Sequence, residues 1–233
     1  MREGMLESIM REELLREVIN YEKGLVARSR KAVVGINAYS GYGSGTHIGE
    51  GYILTNSHVV GSGRRVQIEW PTNKGLGKII SSGDVVFSQE DYDLAVVRDR
   101  DHRNHERPRL YVKTGDDVEQ GTKVCVIGSP LTLFNTCTFG HITNTYRELD
   151  YYGVERGSLM TSVFFQTDAA INPGNSGGAC IDYGGDLIGV PSAGYSGKNN
   201  IGFVIKVRSI MEFIQNAEKQ KNLEIALLRA MVG

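Results

Sequence analysis

The chain has 233 residues, with 26 Lys and Arg against 27 Asp and Glu and a net charge of −1. That length leaves little room beyond a small folded core with terminal helices, and the lack of a basic stripe argues against a nucleic-acid partner. No segment is apolar for long enough to span a membrane, and the first residues lack the apolar core of a signal peptide. The expected compartment is therefore cytoplasmic, although an exported protein trimmed of its leader reads the same way.

From Met5 to Arg30, apolar residues recur at Leu6, Ile9, Met10, Leu14, Val18 and Leu25 with charges between them. This predicts an N-terminal amphipathic helix within residues 1–30, with Gly24 as a candidate break. The helix either packs on the rest of the fold or makes an oligomer contact. In Gly51–Val60, the apolar run Tyr52, Ile53 and Leu54 ends in Thr-Asn-Ser ahead of His58. That pattern is a strand breaking into a short helical turn, with Thr55 or Asn56 as its cap. Asp93 immediately precedes a short apolar strand, Leu94–Val97. Taken singly, such a histidine is more often a satisfied structural residue, and such an aspartate a solvated turn residue.

The run Arg98–Pro108 mixes both signs and reads as a solvated linker, about residues 98–108. Within it, His102 and His105 have metal-compatible spacing, but no Cys or His clusters nearby, so neither a metal nor a cofactor is expected. Cys125, Cys137 and Cys180 are an odd set without a C-x-x-C and read as small core or strand residues, with one bridge left open. The last part of the chain, 207–233, carries one or two amphipathic helices at Val207–Gln220 and Leu223–Met231.

The segment Gln166–Gly178, Q-T-D-A-A-I-N-P-G-N-S-G-G, carries the chemistry. Ser176 lies between Gly174-Asn175 and Gly177-Gly178, where glycine admits tight backbone turns and close approach of a substrate. A hydroxyl on such a turn, with free N–H groups beside it, is how acyl-transfer nucleophiles are presented. G-x-S-x-G also fits the nucleophile elbow of α/β-hydrolases, in which the histidine follows the serine. Here His47, His58, His102, His105 and His141 all precede Ser176. The order His, Asp, Ser is that of the two-barrel proteases.

Three segments together, T-N-S-H-V-V, D-L-A-V-V and Q-T-D-A-A-I-N-P-G-N-S-G-G, resemble the signature blocks of the HtrA/Deg branch of trypsin-like serine proteases. Val124–Leu131, Gly184–Val190 and Asn200–Ile205 resemble connecting strands of that family, so the resemblance runs from about Val33 to Ile205. It implies a mostly β fold of two six-stranded antiparallel barrels over residues 31–206, with N- and C-terminal helices. It makes His58 the base, Asp93 its orienter and Ser176 the nucleophile of a serine endopeptidase. Gly174, Asn175 and Ser176 become the oxyanion hole, with the amides of Gly174 and Ser176 as donors. Ala170 and Ile171 take the floor of the substrate pocket, and Ser192, Ala193 and Gly194 its wall, where an extended substrate pairs as an added strand. Ser192 falls where the family places a hydroxyl near the triad aspartate.

An uncharged floor disfavours Lys and Arg, because a buried unpaired cation is costly, and points to small or medium aliphatic residues before the cut. Asn175, where digestive relatives carry an aspartate, removes activation by a newly cut N-terminus, so either constitutive activity or control through loop rearrangement is expected. The resemblance also implies a regulatory loop at Tyr146–Thr161 and a homo-oligomer or regulatory protein contact through the terminal helices; the PDZ domain that follows in the resembled family is not expected within this chain. Two rivals remain: a protease-fold binding or assembly subunit with an idle triad, and an esterase-like acyl hydrolase.

Overall fold

In a computed structural model, the described residues are 2–72, 77–102, 107–115, 117–148, 161–194 and 200–219. Helix α1 (Arg2–Ser29) leads through a single 3₁₀ turn into six strands: β1 (Val33–Ala38), β2 (Gly41–Gly49), β3 (Tyr52–Thr55), β4 (Arg65–Pro71), β5 (Lys78–Gln89) and β6 (Leu94–Asp99). The one-turn helix α2 (Ser57–Val60) stands between β3 and β4. Six more strands follow: β7 (Lys123–Gly128), β8 (Thr136–Glu148), β9 (Val163–Thr167), β10 (Ala179–Asp182), β11 (Leu187–Gly194) and β12 (Gly202–Lys206), and then helix α3 (Val207–Lys219). Strands β1-β2-β3-β6-β5-β4 close one antiparallel barrel and β10-β11-β12-β9-β8-β7 a second. The two-barrel expectation holds.

Side chains alternate across a strand, and here the alternation serves two cores at once. Ile53, Ala95 and Val97 fill the first barrel with Ile36, Ile68 and Trp70. Val124, Val126, Phe165 and Val204 fill the second. Their neighbours Leu54, Leu94, Val96, Cys125, Ile127, Phe164 and Ile205 point the other way, into a third cluster that joins both barrels. Leu25 of α1 and Ile210 and Phe213 of α3 complete it. Full burial of each such side chain contributes about 1.5–3 kcal/mol, so the seam between the barrels is as apolar as their interiors. The three cysteines are free thiols, with Cys125 and Cys180 buried and Cys137 half-buried.

Four expectations change. Helix α1 runs through Gly24 without a break; a Cβ there would meet only the Arg28 guanidinium, at an ordinary 3.7 Å. Among its described side chains, only those at the end of α1 pack, with Leu25 and Ser29 buried, while Ile9, Met10, Leu14, Leu15, Val18 and Ile19 are exposed. Leu15 and Ile19 lie off the expected stripe and make the helix less one-sided. The run Arg98–Pro108 is also not simply solvated. Asp99 is 1% exposed, and the buried Arg107 lies 3.7 Å from its carboxylate and 3.9 Å over the Trp70 ring. Alternating charge along the run conceals this, because the pairing partners come from β4 and from the linker's own two ends. His105, most of Tyr146–Thr161 and all of Leu223–Met231 lie outside the described residues.

His47 pins the linker to the first barrel. Its Nδ1–H donates to the Pro108 carbonyl at 2.7 Å, and its Nε2 accepts from the Gly51 amide at 3.1 Å. Both partners fix the uncharged tautomer, and burial pushes the imidazole below its ordinary pKa. The folded state therefore binds this proton less readily than the unfolded chain. Its contribution is present above the unfolded value of about 6.5 and is lost as pH falls through the lower folded value. Melting temperature is expected to fall on acidification from pH 7 to 5, and to fall less in His47→Gln; equal slopes for the two proteins, measured by differential scanning calorimetry, would reject this assignment.

Candidate active site

The site forms where one end of each barrel meets the seam. After β3, the chain turns into α2, which carries His58 on a single helical turn closed by Gly61 at φ 55°. Neither expected residue caps that turn. Thr55 Oγ1 donates to the Ser44 carbonyl at 2.7 Å, and Asn56 Nδ2 donates to the Asp93 carbonyl at 2.8 Å. The cap is the Asp93 carboxylate, which accepts the His58 amide at 3.1 Å.

Asp93 reaches this position because it ends a 3₁₀ turn in the left-handed region, at φ 49° and ψ 39°, a conformation that Asp and Asn tolerate better than most side chains. The residue is 2% exposed. Its Oδ1 and Oδ2 lie 2.8 and 2.9 Å from His58 Nδ1, and Oδ2 accepts the Ser192 hydroxyl at 2.6 Å. Three donors thus surround a buried charge that would otherwise be costly. The far side of the imidazole stays open, since the His58 side chain is 47% exposed.

Ser176 is half-buried, and its Oγ donates to the Ser192 carbonyl at 2.9 Å. In this resting arrangement the hydroxyl is engaged by β11 and makes no hydrogen bond to His58. Around it, glycine is obligatory at two places. A Cβ at Gly174 (φ 101°) would stand 2.4 Å from the Ser129 carbonyl, and one at Gly177 (φ 83°) would stand 2.2 Å from that of Ser44. The amides divide cleanly. Asn175 donates to Asn172, Gly177 to Pro191 and Gly178 to Asn175, whereas those of Gly174 and Ser176 have no protein acceptor among the described residues. The Pro173 carbonyl accepts the Leu131 amide at 2.7 Å, and in a trans peptide this turns the Gly174 N–H to the opposite side. Asn175 therefore enters the expected oxyanion segment as a buried brace rather than as a donor.

Ala170 and Ile171 follow β9 after Asp168 and Ala169. The Ala170 carbonyl accepts from Thr138 Oγ1 at 3.0 Å. Ile171 lies against Gly202, where an added Cβ would be 2.7 Å from its Cδ1. Gly202 pairs in register with Gly194, and Phe203 with Ala193, so strand pairing brings the expected floor and wall together. Asp168, the acid just before the floor, accepts the His141 amide instead.

Sequence reasoning missed the residues that hold the two barrels' contributions in place. Ser44 Oγ donates to the Gly174 carbonyl at 2.7 Å and accepts the Ser129 amide at 2.9 Å, while its own amide donates to the Ser176 carbonyl at 2.8 Å. The only signal was the run Gly41–Gly45, whose small residues permit that approach. Beside it, Leu131, Thr132 and Asn135 all hold positive φ, between 52° and 65°.

Two closed barrels, with a His–Asp pair carried by the first and a glycine-framed serine by the second, have the architecture of the two-barrel serine peptidases. The chain belongs to the trypsin-like peptidase domain family, which matches residues 43–190. It is 32% identical to the bovine mitochondrial serine protease HTRA2 over 173 residues, 74% of this chain and 35% of that protein. It is 38% identical to the chloroplastic Protease Do-like 1 of Arabidopsis thaliana over 164 residues, 69% of this chain and 35% of that protein. The chain thus spans about a third of the length of these curated relatives. Among solved structures, a serine endoprotease from Yersinia pestis is 28% identical with a TM-score of 0.66, covering 84% of this chain and 65% of that one.

Replacing Ser44 by alanine removes both side-chain bonds across the junction. Stranding a buried carbonyl or amide costs about 1–3 kcal/mol, and each kcal/mol lowers Tm by roughly 2–4 °C in a domain of this size. An unchanged melting curve for Ser44→Ala would show that the hydroxyl does not tie the barrels.

Proposed function

We propose that this chain is a serine endopeptidase acting on extended or unfolded protein segments through Ser176, His58 and Asp93. The observation that carries the reading is the buried Asp93 carboxylate gripping His58 beside a serine loop whose Gly174 and Ser176 amides are unengaged. In the reaction, Ser176 Oγ attacks the peptide carbonyl carbon and gives its proton to His58 Nε2. Asp93 holds Nδ1–H and stabilises the imidazolium, and His58 then protonates the leaving amine. The amides of Gly174 and Ser176 receive the developing oxyanion; each such donor contributes on the order of 3 kcal/mol to lowering the barrier.

The resting bond from Ser176 to the Ser192 carbonyl must break first. An extended substrate that adds to Ser192–Gly194 as a strand offers that carbonyl an amide donor of its own, which frees the serine hydroxyl to turn to His58. Substrate pairing and nucleophile alignment are then one event. The uncharged floor at Ala170 and Ile171, with Ile171 against Gly202, supports small or medium aliphatic residues before the cut. The exposed apolar side chains of α1 support a contact with a second copy or a regulatory protein.

A fluorophosphonate probe is expected to label the parent and not Ser176→Ala, and His58→Ala should lower peptide turnover by up to about 10⁶-fold. Equal labelling of parent and Ser176→Ala would place the nucleophile elsewhere. In a peptide library, Val, Ala, Ile or Leu should dominate before the cut, whereas a strict Arg or Lys preference would refute the pocket assignment. Ile171→Ala should shift selection toward larger apolar residues by roughly 10–200-fold per added group.

A further inference from the structure

A cavity of about 890 Å³ opens at a junction that the proposed chemistry does not use. Its described walls come from the end of α1, the β2–β3 turn, His102, the stretch Arg107–Tyr111 and the β10–β11 turn. None of His58, Asp93, Ser176 or the pocket residues lines it. Three arginines do: Arg28, Arg107 and Arg109.

Their pairing is uneven. Arg107 is tied to Asp99 at 3.7 Å and stacked on Trp70. Arg28 and Arg109 have no carboxylate partner among the described residues; each only lies near an aromatic ring, Tyr21 at 5.5 Å and Tyr111 at 4.5 Å. Two acids, Glu50 and Asp186, also line the cavity. Because Asp99 already meets the charge of Arg107, the described lining sets Arg28 and Arg109 against Glu50 and Asp186 (2 − 2 = 0), a balance that admits one oxyanion group and not a polyanion. His47 adds no charge, since both of its ring nitrogens are committed to backbone groups.

Two buried donors in the wall lack partners. Ser29 is 2% exposed, and its Oγ makes no hydrogen bond; Arg107 Nε is likewise buried without an acceptor. Native structures rarely leave such groups unmet, and a rotation about χ1 is enough for a serine to present its hydroxyl to a new acceptor. Planar guanidiniums beside an acceptor-seeking hydroxyl form a donor set for a phosphate or a carboxylate.

We propose that this cavity binds a small molecule through one phosphate or carboxylate group, held by Arg28 and Arg109 with Ser29 donating from the wall. The site is independent of peptide cleavage. A ligand there fastens the end of α1 to the linker and to the β10–β11 turn, and so stabilises the fold by mass action.

The test titrates the full chain with inorganic phosphate and, separately, with acetate, each against sodium chloride at matched ionic strength, reading melting temperature and calorimetric heat. A saturable rise in Tm with either oxyanion, absent with chloride, is expected, and the responding anion identifies the group. Arg28 and Arg109 are exposed, so Arg28→Gln with Arg109→Gln should fold normally and weaken binding at least tenfold. Ser29→Ala should melt no lower than the parent without ligand, because it removes an unmet buried hydroxyl, and should bind the anion more weakly. Binding undiminished in the double variant, or a response to both salts no larger than that to chloride, would overturn the proposal.

Discussion

One buried negative charge organises this molecule's functional end. Asp93 is almost wholly enclosed, and an enclosed carboxylate persists only if donors converge on it. That demand recruits the His58 amide and imidazole from the turn after β3 and the Ser192 hydroxyl from β11. Two strands of different barrels and a one-turn helix are thereby set in mutual register by a single side chain. The left-handed backbone at Asp93 is part of the same requirement, because it aims the carboxylate at the turn it caps.

The apolar seam supplies the rigidity this arrangement needs. Alternate residues of β3, β6, β7, β9 and β12 face a cluster common to both barrels, so neither barrel can shift without exposing the side chains of the other. A site assembled from two closed barrels keeps sub-ångström geometry only where their junction is as well packed as their interiors. Ser44 completes that junction in polar currency, fastening the serine loop of the second barrel to a strand of the first.

Much of this was readable from the residues. The flanks of His58, Asp93 and Ser176, together with their order, pointed to two barrels and to one site, because strand ends and glycine turns leave strong local marks. What stayed hidden depended on partners far apart in the chain. Arg107 and Asp99 look solvated in a run of mixed charge, and it is Trp70, from β4, together with Asp99 that encloses the arginine's side chain. Asn56 has the composition of a helix cap, yet its amide group is claimed by the Asp93 carbonyl 37 residues on. For α1, apolar spacing described a helix but not how much of it would be covered, since spacing alone carries no information about a partner surface. Ser44 left no trace beyond small neighbours, because a serine that braces a distant loop is spelled like one that does nothing.

The left-handed residues beside the serine loop have a mechanical consequence. Leu131 and Thr132 hold a conformation that costs on the order of 1–2 kcal/mol at such side chains, whereas Asn135 tolerates it and anchors the segment by donating from Nδ2 to the Arg30 carbonyl at 2.8 Å. Leu131 keeps that geometry while its amide grips the Pro173 carbonyl, and the same grip fixes the peptide plane ahead of Gly174. Each loop is thus the template for the other. The two loops therefore form one mechanical unit, in which a displacement of Leu131 reaches the peptide ahead of Gly174 through a single hydrogen bond.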